Sequence, residues 1–209
     1  MALAVASLRL CLVTDRGLAR GRSVTDIALA AVRGGATMVQ LREKDATTRA
    51  FVEAARALKA ALAPFGAPLI VNDRLDVALA VDADGLHVGQ SDMAVADARR
   101  LLRPDKIVGL SIETVEQATR PDAAAADYLG VGPIYAQQTK PDAAAPLGLD
   151  GLRKVRTLTR KPIVAIGGLT PANSAPALAA GADGLAVVSA IVAAADPEAA
   201  ARDFMALFG

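Results

Sequence analysis

Short apolar runs rich in β-branched residues or Leu alternate along the chain with longer stretches whose Ala and charged residues recur at helical spacing. The runs predict strands over residues 8–14, 38–41, 69–72, 85–88, 107–110, 128–131, 163–166 and 184–188. The intervening stretches predict helices over 24–33, 48–63, 75–81, 94–102, 115–124, 151–158, 172–180 and 197–207. Strands apolar on both faces suit a parallel sheet covered by crossover helices. Turns such as Gly34-Gly35-Ala36, Gly66-Ala67-Pro68 and Gly181-Ala182-Asp183 punctuate the repeat where a helix ends and the chain reverses.

Eight strand–helix pairs without an evident linker predict an α/β chain folded as a single (β/α)₈ TIM barrel, one catalytic domain spanning 1–209. At 209 residues the outer loops must be short. Catalytic groups in such barrels sit at the C-terminal ends of strands, so polar residues just beyond each apolar run are the candidates.

Composition narrows the partners. A chain 53% hydrophobic and 22% charged is not a disordered segment, and 3% aromatic content leaves few rings for stacking nucleic-acid bases. Formal net charge is +1, which gives no general attraction to nucleic acid or an anionic membrane; small-molecule substrates are expected. No uncharged apolar run reaches the roughly 18 residues of a membrane span. Arg9 interrupts the apolar opening, and Cys11 is the single cysteine, so a cytoplasmic chain is expected, with Cys11 packed in the core. Oligomeric state is left open.

After the second strand, alternation places Gln40, Arg42 and Lys44 on one face and Leu41 and Glu43 on the other, so two cations converge near the rim. The third strand ends in Asn72-Asp73 and the fourth is followed by Gly89-Gln90-Ser91-Asp92. Asp73 and Asp92 suit a shared Mg²⁺, which often takes one or two carboxylates plus substrate phosphates; capping of the following helices is the competing reading. His87, the one histidine, lies inside a strand and reads as a packed or hydrogen-bonded residue rather than a general base, while Ser111 ends the fifth strand.

Residues 130–142 are rich in Gly and Pro and predict a long loop over the mouth carrying Lys140. Beyond the seventh strand, Gly167-Gly168 let the backbone approach a ligand closely; beyond the eighth, Ser189 and Ala190 open a short helix whose N–H groups attract an anion. Loops after strands seven and eight are the usual phosphate site of this architecture. Thr170-Pro171 reads as the start of a helix.

Several long segments in order then carry a resemblance: VQLREKD at 39–45, LIVNDRLDVALAVDADGLHVGQSD at 69–92, VGLS at 108–111, ADYLGVGPIY at 126–135, TKPDAAAPLGLDGL at 139–152, and PIVAIGGLT through AGADGLAVVSAI at 162–191. Over nearly its whole length the chain resembles the thiamine-phosphate synthase family. The resemblance implies a transferase of thiamine biosynthesis that joins 4-amino-2-methyl-5-(diphosphooxymethyl)pyrimidine to a thiazole phosphate and releases pyrophosphate. It implies that Gln40, Leu41, Arg42, Glu43, Lys44, Asn72 and Ser111 bind the pyrimidine diphosphate, and that Asp73 and Asp92 hold Mg²⁺. Lys140 is expected to reach the departing pyrophosphate, with Arg42 and Lys44 sharing the catalytic charge stabilisation. Gln137, Gln138, Thr139, Gly168, Val188 and Ser189 fall at the thiazole phosphate. Gln137-Gln138 stand where the family usually has Thr-Ser, replacing hydroxyls with longer amides. A related thiazole tautomerase and a non-catalytic thiamine-phosphate sensor are the alternatives.

Overall fold

A computed structural model describes residues 5–136 and 145–209 of the chain. Eight parallel strands pair in chain order and close on themselves: β1 Leu10–Val13, β2 Met38–Leu41, β3 Leu69–Asn72, β4 Gly85–Val88, β5 Ile107–Ile112, β6 Tyr128–Val131, β7 Ile163–Ile166 and β8 Gly184–Val187. Closure falls at β1, where Cys11 stands opposite Met38 of β2 on one side and Ala186 of β8 on the other. The (β/α)₈ barrel expected from the alternating runs is thus the observed architecture.

Alternation along each strand divides the apolar side chains into two layers. Cys11, Val13, Met38, Ile70, Tyr128, Val164 and Ala186 form one cluster inside the barrel. Leu10, Leu12, Val39, Leu41, Val71, Leu86 and their outward-facing counterparts form a second, larger one with the helices. Burial on both faces is why the strands read as continuous apolar runs.

The covering helices are α1 Val24–Arg33, α2 Thr48–Leu62, α3 Leu75–Ala80, α4 Val95–Leu101, α5 Pro121–Ala125, α6 Gly148–Leu158, α7 Pro171–Ala179, α8 Ser189–Val192 and α9 Pro197–Met205. Hydroxyls of Ser23 and Thr47 accept backbone N–H groups at the starts of α1 and α2. No described helix is long and apolar enough to cross a membrane.

Several boundaries differ from the sequence expectation by one to three residues, and one expected helix is broken. Residues 5–8 form a 3₁₀ turn, so β1 starts at Leu10. The helix expected over 115–124 is broken into a 3₁₀ turn, Glu116–Thr119, and α5, because Pro121 holds Arg120 extended at φ −74 and ψ 155. Helix α6 begins at Gly148, three residues early. The short helix expected beyond β8 is present as α8.

At the N-terminal end of the barrel, a side-chain acceptor just ahead of each even strand takes the first or second N–H of the odd strand before it. Thr37 accepts from Leu10 at 3.1 Å, Asp84 from Leu69 at 2.8 Å, Asp127 from Val108 at 2.8 Å and Asp183 from Ile163 at 2.8 Å. Arg99 and Arg156 in turn pair with Asp127 and Asp183. This end of the molecule is spent on stability, leaving the other for chemistry.

Candidate active site

The C-terminal ends of the strands surround a cavity of about 600 Å³ that reaches down to Cys11, Tyr128, Val164 and Ala186 inside the barrel. Cys11 is buried, and desolvation pushes its thiol up to about 12. It packs, as expected, rather than reacts.

From β2, the side chains of Gln40, Arg42 and Lys44 line this cavity. Leu41 is buried in the layer beneath the helices, and Glu43 is turned outward into a two-pronged pair with Arg16 at 2.7 and 3.0 Å. The alternation read from the sequence therefore holds past the strand end. Arg42 is anchored from β1: its backbone N–H donates to Thr14 Oγ1 at 3.0 Å, and Nη1 donates to Asp15 Oδ2 at 3.3 Å. Asp15 is fixed in turn by the Leu18 N–H at 2.9 Å. These supports lie one strand away from the cation they hold, and a polar pair directly after β1 was the signal that could have exposed them.

Near Arg42 and Lys44 stand Asn72, at the end of β3, and Asp73 and Asp92, on the loops after β3 and β4. Asp73 has φ +62, a left-handed conformation that a carboxylate residue tolerates better than most and that concentrates at functional sites. Its N–H donates to the His87 carbonyl at 2.8 Å, and Asn72 Nδ2 donates to its carboxylate at 2.5 Å. Asp92 Oδ2 accepts the Gly89 N–H at 2.7 Å. Neither aspartate caps the next helix, since Arg74 and Ala94 hold those positions without side-chain caps. Burial, then the charge and hydrogen bond of Asp92, push the Asp73 carboxyl up to about 7, against the pull of Arg42 and Lys44. Two carboxyl groups brought to one side of the cavity form a donor set suited to a hard divalent ion completed by substrate oxygens. Among the described residues there is no cluster of three or more His, Cys, Asp or Glu side chains able to hold a metal alone.

Ser111 reaches the cavity from β5, and His87 from β4 lies beneath it. The ring, expected to be packed or hydrogen-bonded, is both, with partners on each nitrogen: Tyr128 Oη on Nδ1 and Ser111 Oγ on Nε2, each at 2.9 Å. Burial lowers its pKa to about 4, so it is neutral.

On the far side, Gly167, Gly168, Val188 and Ser189 line the same cavity. Gly167 and Gly168 have φ of +99 and +67, and a Cβ at 168 would lie 2.8 Å from the Ala136 carbonyl oxygen, so glycine is required there. Helix α8 begins at Ser189 and directs its first N–H groups to the rim. Thr170 precedes α7 as its N-cap, a structural role. Gln137, Gln138, Thr139 and Lys140 lie outside the described residues.

Residues 10–191 match a family model described as thiamine monophosphate synthase. The thiamine-phosphate synthase of Chloroflexus aurantiacus is 59% identical over 95% of this chain and 92% of that one. That of Albidiferax ferrireducens is 56% identical over 93% and 89% of the two chains. In three dimensions the chain is similar to thiamine phosphate pyrophosphorylase from Pyrococcus furiosus, with TM-score 0.88, 36% identity and coverage of 97% and 96%. A 3-hexulose-6-phosphate synthase shares the fold at TM-score 0.71 and 21% identity.

Proposed function

The chain belongs to the thiamine monophosphate synthase family and is a transferase of thiamine biosynthesis; from that premise we propose how its cavity divides the work. The substrates are 4-amino-2-methyl-5-(diphosphooxymethyl)pyrimidine and a thiazole phosphate, and the products are thiamine phosphate and pyrophosphate. The observation that carries the assignment is one cavity with two unlike sectors: Arg42 and Lys44 facing Asp73 and Asp92, and the glycine turn facing the start of α8.

The first sector receives the diphosphate. Arg42, pre-set by Thr14 and Asp15, and Lys44 meet its negative charge. Asp73 and Asp92 would hold Mg²⁺, which when bound supplies further counter-charge to phosphate oxygens. Gln40, Asn72 and Ser111 surround the pyrimidine. The second sector holds the thiazole phosphate through backbone N–H groups at Gly168 and Ser189 and places the thiazole nitrogen over the pyrimidine methylene carbon.

The carbon–oxygen bond to diphosphate breaks with its electron pair leaving on pyrophosphate, and the amino-pyrimidine spreads the positive charge left on carbon. The thiazole nitrogen lone pair then forms the new carbon–nitrogen bond. No proton moves in either step, so no general base is required. Charge stabilisation by Arg42, Lys44 and Lys140, together with positioning, supplies the catalysis.

The experiment is to incubate the purified chain with both substrates and Mg²⁺ and to quantify thiamine phosphate and pyrophosphate together. Equal amounts of the two are expected. Binding of substrate without either product would overturn the reading in favour of a sensor, and conversion between thiazole tautomers alone would favour the tautomerase.

A further inference from the structure

Beneath the pyrimidine side of the cavity lies a row of polar side chains that the displacement does not consume. Tyr128 and His87 point into the barrel from β6 and β4, with ring centroids 5.4 Å apart and planes tilted by 38°. The barrel makes room for them by omitting side chains: a Cβ at Gly109 would overlap both the Tyr128 ring and His87 Nδ1, and one at Gly130 would lie 3.0 Å from His87 Cε1. Both rings are almost wholly buried, and no buried side-chain nitrogen or oxygen among the described residues lacks a partner.

The direction of each hydrogen bond follows from counting protons. Tyr128 is buried, and the acceptor within hydrogen-bond distance of its hydroxyl is His87 Nδ1. The single phenolic proton is then spent on His87 Nδ1, 2.9 Å away. A neutral imidazole that accepts at Nδ1 carries its proton on Nε2, and Nε2 donates to Ser111 Oγ at 2.9 Å. Ser111 has accepted one bond from below, and its own proton faces the cavity.

We propose that Tyr128 and His87 are positioning residues that fix Ser111 as a hydrogen-bond donor toward an acceptor atom of the pyrimidine diphosphate. The proposal rests on the substrate assignment above, but the proton order inside the protein can be read without substrate.

The chain has one histidine, so a tag-free, ¹⁵N-labelled sample gives a single imidazole whose two ring nitrogens report the tautomer by NMR. The neutral Nε2–H form is expected at pH 7, and the opposite tautomer or a charged ring would overturn the proposal. Tyr128→Phe removes the proton that specifies Nδ1 as acceptor. It should mix the tautomers and lower kcat/KM for the pyrimidine diphosphate by about tenfold, the worth of one well-aligned hydrogen bond, while leaving KM for the thiazole phosphate unchanged. A folded Tyr128→Phe protein with the wild-type tautomer and wild-type kcat/KM would refute it. Should the wild-type chain release no pyrophosphate at all, the substrate assignment fails, whereas the NMR result still decides the proton order.

Discussion

The carboxyl of Asp73 lies in electrostatic range of that of Asp92 at one side of the cavity mouth, with Arg42 and Lys44 in range of it as well. Like charges drawn this close are stable only with a proton or a cation between them. Asp73→Asn and Asp92→Asn should each cut Mg²⁺-dependent turnover by about a hundredfold or more, since the site has few other fixed oxygen ligands. Steady-state rates against Mg²⁺ concentration would measure it, and retained activity at low Mg²⁺ would remove both residues from the metal site.

The same pair makes cation binding depend on pH. With its carboxyl raised from 3.8 to about 7, Asp73 holds a proton in the cation-free protein over the acid side of neutrality, and binding must release it. Mg²⁺ affinity should weaken below pH 7, at most about tenfold per unit, and level off above it. Without cation, this group favours the folded state below pH 4, and that contribution is lost as pH rises through about 7. Calorimetric titrations at several pH values would follow the change.

His87 acts with the opposite sign. Its pKa is lowered from 6.5 to about 4 by burial, so the unfolded chain takes up a proton at a pH where the native ring does not. The stability it contributes is complete above pH 6.5 and is lost as pH falls toward 4, by an amount on the order of 3 kcal/mol. In His87→Gln the slope of unfolding free energy against pH should flatten over that window. Denaturant titrations at pH 4.5 and 7 on both proteins give the comparison, and equal slopes would mean the ring is more solvated than its packing indicates.

Gly168→Ala should raise KM for the thiazole phosphate about tenfold or more, because φ of +67 and the nearby Ala136 carbonyl leave no room for a methyl group. KM for the pyrimidine diphosphate, held on the other side of the cavity, should stay the same. Equal rises in both constants would show that the glycine turn supports the whole mouth rather than one phosphate.

Asp183→Ala removes the acceptor of the Ile163 N–H and the carboxylate partner of Arg156 at the opposite end of the barrel. Destabilisation of about 1–3 kcal/mol is expected, with kcat unchanged at a temperature where the variant remains folded. A loss of kcat in the folded variant would connect this end to the chemistry.

The barrel was legible because strands buried on both faces advertise themselves, and Met38–Leu41 or Ile163–Ile166 admit little else. The column Gln40, Arg42, Lys44 was legible for the same reason: alternation is local. Local spacing also left Asp73 and Asp92 undecided between capping and a joint site, and the first is removed only by Arg74 and Ala94 holding the N-cap positions. The hydrogen-bond partners of His87 were not legible because Ser111 and Tyr128 lie 24 and 41 residues away on strands whose register no short window reveals. Pro121, by contrast, was in plain view as a breaker of the helix expected across it.

The acceptors beneath the strands give the barrel a rhythm of two. Each joins an odd strand to the even strand that follows it, over separations of 27, 15, 19 and 20 residues, and among the described residues no matching side-chain bond joins an even strand to the next odd one. In terms of assembly, the molecule is four clasped quarters, each with a short loop to close and its register pinned at the base. The Asp73 and Asp92 loops follow the two strands of one such quarter, so the geometry of their shared site is set within a segment of the chain rather than by closure of the whole ring.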